Sequence, residues 1–235
     1  MKFKFEDIIS SKKCSLAVLV DPDKFDKELI KLLDKSKTKF ILVGGSKLKT
    51  GNIKETVLQI KKHCKLPIVL FPGDETQLCK EADGIFILSL LSGKNPEYLI
   101  DKQIRAAQKI KQLKLKTFPV AYILIDGGGV SETQKITKTK PLKEKKQIID
   151  TALAAQHLGF KAVYLEAGSG SKKQVHEQII KAVSKSITIP LIVGGGITST
   201  KGIHNAKKSG ANVVVIGNIL EKNKKIVNEF SKVFE

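Results

Sequence analysis

The 235-residue chain has no tryptophan, three cysteines, and a single arginine, Arg105, among its 42 basic residues. Aromatic residues make up 6% of it. Each scarcity excludes something. Cys14, Cys64 and Cys79 are odd in number and widely spaced, which fits neither a disulfide framework nor a paired-cysteine metal site. Base-edge readout in nucleic acids favours the arginine fork, and single-strand binding favours exposed aromatic platforms. With so little of either, the net charge of +19 reads as a lysine-rich solvated surface that also attracts anionic small molecules, and no nucleic-acid partner is expected. No apolar run approaches the roughly 18 residues of a membrane span. The first seven residues are charged throughout and carry no apolar signal-peptide region, so a cytoplasmic location is expected.

What is present is a regular alternation. At 41% hydrophobic and 28% charged the chain is globular in composition. Short apolar, β-branched runs at 15–20, 40–43, 67–71, 84–88, 118–125, 162–165, 190–193 and 213–216 read as strands buried on both faces. Nearly all are separated by helix-periodic segments, including a weak one at 75–82 and a closing one at 220–234. A long polar loop is expected over 126–146. Eight strands alternating with helices imply parallel pairing with right-handed crossovers. The expectation is an α/β fold, a TIM (β/α)8 barrel as one domain over residues 1–235, with a doubly wound sheet as the competing architecture.

Three strands run into glycine turns: Tyr164-Leu165-Glu166-Ala167-Gly168-Ser169-Gly170, Gly194-Gly195-Gly196, and Gly217-Asn218. Glycine directly after a buried strand lets the backbone approach a ligand and offer its N–H groups, which suits a phosphate. A single such turn is ordinary turn geometry. Three in succession at the C-terminal strand ends predict a phosphate-holding rim on the last βα loops.

Together with Asp21-Pro22-Asp23-Lys24, Val43-Gly44-Gly45-Ser46 and Leu70-Phe71-Pro72-Gly73, these segments resemble the geranylgeranylglyceryl phosphate synthase family, which includes the bacterial heptaprenylglyceryl phosphate synthases. The matching segments span nearly the whole chain in the family's order, and the D-P-D-K and Y-L-E-A-G-S-G stretches are the specific ones. The resemblance implies a prenyltransferase that couples sn-glycerol 1-phosphate to a polyprenyl diphosphate, releasing diphosphate with Mg²⁺ as cofactor. It implies that Asp21 and Ser46 contribute to the metal site. Tyr164, Leu165, Glu166, Ala167, Gly168, Ser169, Gly170, Gly195, Gly196, Gly217 and Asn218 would bind glycerol phosphate. A branch of the family has Lys two residues before the aspartate. Leu19 stands there in this chain, which favours the archaeal-type branch and a geranylgeranyl donor. A homo-oligomer and a transient membrane-surface contact for the lipid product are also expected.

The residues themselves leave alternatives. By spacing alone Asp21 is as well explained as a turn cap, and Ser46 better explained as a helix cap. Glu166 could contact the glycerol and act on its attacking hydroxyl as catalytic base, or be a buried carboxylate paired with a lysine. Tyr122 is either a core residue or a wall of the substrate site. The apolar segments 86–88 and 90–91 are candidates for a prenyl groove. Other phosphate-binding barrels, such as sugar-phosphate isomerases or thiamine-phosphate-type synthases, would show the same glycine turns. A non-catalytic nucleic-acid-binding protein would leave those turns unexplained.

Overall fold

The computed structural model describes residues 13–235, so the charged N-terminal stretch lies outside the described residues. All the expected strands form: β1 (Ser15–Val20), β2 (Thr38–Val43), β3 (Ile68–Leu70), β4 (Gly84–Leu90), β5 (Thr117–Leu124), β6 (Ala162–Glu166), β7 (Leu191–Gly194) and β8 (Val213–Ile216). They pair in sequence order into a closed parallel barrel. The seam is β8 against β1, with Ser15 opposite Val213 and Val18 opposite Ile216. The doubly wound alternative is thereby excluded.

The continuous apolar runs have a simple cause. Successive side chains point to opposite faces of a strand, and both faces are dry. In β5 the inward set is Val120, Tyr122 and Leu124, packed with Phe40, Leu42, Phe86 and Tyr164 in the barrel interior. The alternate set, Ala121, Ile123 and Ile125, packs against the helical shell.

That shell consists of α1 (Lys27–Asp34), α2 (Ile53–His63), α3 (Lys102–Leu113), α4 (Glu132–Thr137), α5 (Lys145–His157), α6 (Glu177–Ser186), α7 (Thr200–Lys208), α8 (Asn218–Lys222) and α9 (Ile226–Lys232). The starts are chemically marked. Asp26 accepts from the amides of Glu28 and Leu29 at 2.8 and 3.3 Å, and Asn52 and Ser199 cap α2 and α7 in the same way.

Three expectations change. No helix follows β3: Asp74 takes the Thr76 amide at 2.8 Å and its hydroxyl at 2.5 Å, a local turn that competes with helical bonding. The polar loop is not structureless, because Ser131 accepts from the Gln134 amide at 3.2 Å and starts α4. The closing helix is broken at Asn223 into α8 and α9. Ahead of α3, Glu97–Asp101 forms one π-helical turn.

The missing helix matters most for function. The loop that replaces it leaves a gap between itself and α3, lined by Gly73, Asp74, Glu75, Leu78, Lys102 and Ala106. A groove of about 870 Å³, including its open mouth, fills that gap.

Candidate active site

The C-terminal rim of the barrel carries two clusters, one on the loops after β1 to β3 and one on the loops after β6 to β8.

In the first cluster, Asp21 follows β1 and is half-buried. One of its oxygens accepts from the Asp23 amide at 3.0 Å. Its carboxylate faces the loop after β2: a methyl group placed on Gly45 would lie 3.3 Å from Asp21 Oδ1. Burial holds the Asp21 carboxyl above its ordinary pKa, against the opposing pull of the Asp23 amide and Lys24. A cation at this point would favour the charged form again. Asp23, the second acid of the motif, is committed elsewhere. It accepts from the amides of Lys49, Thr50 and Gly51, which lower its pKa and fold the β2–α2 loop over the β1 turn. Lys24 bonds Glu221 of α8 at 2.8 Å, joining the first loop of the rim to the last.

Ser46 lines the groove mouth beside Gly45 and Gly73. The two glycine loops are held in contact by Gln77, which is 1% exposed. Its Oε1 accepts from Gly45 and Gly73 amides at 3.3 and 3.2 Å, and its Nε2 donates to the Gly45 carbonyl at 2.8 Å. Sequence reasoning missed Gln77, placing it inside a helix that does not form. Nothing in the local pattern marks a glutamine that turns inward to satisfy backbone groups 32 residues away in the chain. Asp21 and Ser46 are therefore brought to one corner, with Asp23 and Gln77 shaping it.

No group of three or more histidine, cysteine or acidic side chains converges among the described residues. One carboxylate with an oxygen left over, and a hydroxyl nearby, suits a hard cation that keeps its waters and takes substrate oxygens. It does not suit a metal held by a full protein cage. The donor set fits Mg²⁺ in that sense.

In the second cluster, Glu166 ends β6 and is buried at 7% exposure. No lysine pairs with it among the described residues. Its partners are the Gly168 amide, which donates to Oε1 at 2.8 Å, and the Tyr164 hydroxyl. Burial pushes its pKa up to about 7, against the pull of those two donors. Gly195, at φ +80°, sits directly on this carboxylate. A Cβ there would overlap Glu166 Oε1 and lie 2.8 Å from the amide nitrogens of Ala167 and Gly168. Ser169 Oγ donates to Asn218 Oδ1 at 3.1 Å and ties the β6 loop to the β8 loop.

The amides of Ser169, Gly170, Gly195, Gly196, Gly217 and Asn218 donate to no protein acceptor among the described residues. These residues are half-exposed or exposed at the rim, and a ring of open N–H donors on three adjacent loops can receive an anion. Leu165 and Ala167 differ from their neighbours. Their side chains pack in the layer between barrel and helices, so only their backbone reaches the rim. Tyr164 points inward, its ring stacked on Tyr122 at 5.4 Å and 5.6 Å from Phe71.

The groove opens at the first cluster. It runs from Gly45, Ser46 and Tyr122 at the mouth along Ile85, Ile87 and Leu88 to Ala106 and Ile110 of α3. Of the candidate segments, 86–88 and Leu90 line it, and Leu91 does not.

A family model described as the PcrB family matches residues 7–234, nearly the full length. The chain belongs to the PcrB family. A geranylgeranylglyceryl phosphate synthase of Zunongwangia profunda is 46% identical over 212 residues, covering 88% of this chain and 90% of the relative. An archaeal one from Pyrococcus furiosus is 38% identical over 209 residues, covering 87% and 83%. The crystal structure of (S)-3-O-geranylgeranylglyceryl phosphate synthase from Thermoplasma acidophilum in complex with sn-glycerol-1-phosphate superposes with a TM-score of 0.91 at 29% identity, covering 97% of each chain. PcrB-family membership agrees with the resemblance drawn from the motifs.

The raised pKa of Glu166 has a consequence for stability. Its folded value of about 7 exceeds the ordinary 4.5, so the folded state binds more protons between those values. Stability is full below the lower value and is lost as pH rises through the higher one. From about pH 4 to about pH 8 the ligand-free protein should lose roughly 3 kcal/mol relative to Glu166→Gln. Urea unfolding of both proteins across that range measures it; parallel curves would show that Glu166 titrates normally.

Proposed function

We infer that this PcrB-family chain is a geranylgeranylglyceryl phosphate synthase-type prenyltransferase, joining sn-glycerol 1-phosphate to a polyprenyl diphosphate, with geranylgeranyl the favoured donor. The observation that carries this reading is the juxtaposition at one barrel mouth. An anion cradle of unpaired amides on the last three βα loops stands beside a buried carboxylate, and an apolar groove opens at the opposite side. Glycerol phosphate, prenyl chain and diphosphate each find chemically matched surroundings there. The bacterial and archaeal relatives bearing that enzyme's name support it.

In this mechanism the amides of the three glycine turns hold the phosphate of the acceptor. Glu166, with a pKa near neutrality, takes the proton of the attacking 3-hydroxyl as its oxygen bonds to the first prenyl carbon. The carbon–oxygen bond to diphosphate breaks and its electron pair leaves with the diphosphate. Asp21 and Ser46 would hold Mg²⁺, which supplies Lewis-acid neutralisation of that leaving charge. Phe71, Tyr122 and the β4 side chains Phe86 and Leu88 shield the allylic centre from water. The whole chain acts as one domain in this reading, in the cytoplasm and as a homo-oligomer, touching a membrane surface only to pass on its lipid. Among the described residues no helix is long and apolar enough to cross a membrane.

The test is incubation with Mg²⁺, labelled sn-glycerol 1-phosphate and C15 to C35 prenyl diphosphates, followed by extraction of lipid. The expected result is an extractable ether phospholipid, greatest with the C20 donor. With sn-glycerol 3-phosphate, formation should be at least about tenfold lower, since one misplaced hydroxyl loses a hydrogen bond in a buried site. No lipid product, or equal use of the two enantiomers, refutes the assignment.

A further inference from the structure

The groove mouth holds a cation that the mechanism above leaves unused. Lys102, at the start of α3, is the only cationic side chain lining the groove among the described residues. Its Nζ donates to the Gly73 carbonyl at 2.9 Å and lies 4.9 Å from the centre of the Tyr98 ring. The neighbouring acids do not neutralise it by direct pairing. Arg105 Nε bonds Glu75 at 2.7 Å, and the same guanidinium bonds Glu97. Asp74 is engaged by Thr76. No carboxylate stands within ion-pair distance of Lys102 among the described residues.

Its position along the rim is equally specific. Gly73 lies so close to the second glycine loop that a Cβ would overlap the carbonyl of Gly45 and press on that of Ser46. The Asp21 carboxylate faces Gly45 from the other side. Contacts thus run unbroken from Asp21 through Gly45, Ser46 and Gly73 to Lys102, with the apolar groove beginning beneath them.

We propose that Lys102 binds the diphosphate of the prenyl substrate and stabilises the charge it gains on departure, in addition to the metal ion expected at Asp21. This rests on the prenyltransferase reading. As the carbon–oxygen bond breaks, its electron pair passes to the bridging oxygen of the diphosphate, which becomes more negative than one divalent ion can balance. A lysine suits the task as a compact charge on a flexible stem, able to leave the Gly73 carbonyl for a phosphate oxygen. The carbonyl contact and the Tyr98 ring hold the ammonium in place before substrate arrives.

The test compares wild type with Lys102→Met, which keeps the stem, and Lys102→Arg, which keeps the charge. Calorimetric binding of inorganic diphosphate with Mg²⁺ is the direct probe, and the KM values of the two substrates are measured alongside. Lys102→Met should weaken diphosphate binding by about tenfold or more and raise the prenyl diphosphate KM comparably, with the glycerol 1-phosphate KM unchanged within about twofold. Lys102→Arg should restore most of the loss. Unchanged diphosphate binding in Lys102→Met overturns the proposal, as does an equal loss for both substrates with a lowered Tm, which would mark a purely structural tie. Wild-type protein that forms no lipid but binds diphosphate through Lys102 would refute the prenyltransferase reading and leave the diphosphate site standing.

Discussion

Replacing Asp21 by Asn lowers Mg²⁺-dependent turnover by about 10³-fold or more while leaving the fold intact. Asp21 accepts a single backbone amide, on Oδ1, and keeps its other oxygen available, whereas both oxygens of Asp23 are occupied by the 49–51 loop. Asparagine keeps the oxygen that accepts from the Asp23 amide, so the β1 turn survives. It removes the charge that would hold the metal. Lewis-acid stabilisation of a leaving group is worth several kcal/mol, and each ~1.4 kcal/mol is tenfold in rate. Steady-state kinetics across a Mg²⁺ titration, with Tm as the control, checks it. Activity within about tenfold of wild type at saturating Mg²⁺ would remove Asp21 from the metal site. The companion change Asp23→Asn should behave differently, acting through the loop it folds.

Gly195→Val is expected to abolish glycerol 1-phosphate binding and to destabilise the protein by about 2–4 kcal/mol. Two penalties combine. A β-branched residue at φ +80° is strained by roughly 1–3 kcal/mol. Its Cβ also overlaps Glu166 Oε1 and crowds the amides of Ala167 and Gly168. The anion cradle and the proton acceptor are therefore displaced together, and the KM for glycerol 1-phosphate should rise by at least about 10²-fold. The matched control is Gly129→Ala, where a Cβ meets nothing within 4 Å. Isothermal titration with glycerol 1-phosphate and thermal melts distinguish the two. Normal binding in Gly195→Val would show that the acceptor phosphate sits elsewhere.

The strands were legible because parallel barrel strands are apolar on both faces and short. Helix ends were legible where a capping side chain marks them, as at Asp26, Asn52 and Ser199. Segments decided by distant partners were not. The stretch after β3 has a helical composition, but Gln77 is drawn into the barrel rim by Gly45 and Gly73, contacts its own neighbours could not announce. The short α4 was hidden in a polar loop because its six residues carry little apolar periodicity. Lys102 was one lysine among many until Arg105 was seen to occupy the acids around it.

The identity of the strands, their alternation with helices and the clustering of glycines at three strand ends were settled by local composition and period, properties each segment carries alone. Which acid of the Asp21-Pro22-Asp23 pair remains available for a cation was not. Nor was the groove beside β4, or the near-neutral pKa of Glu166. Those depend on what the closed barrel brings together: three amides captured by one aspartate, a helix that fails to form, and a carboxylate removed from water by a glycine turn 29 residues farther along the chain. Desolvation and backbone hydrogen bonding act through space, so only the tertiary structure could decide them.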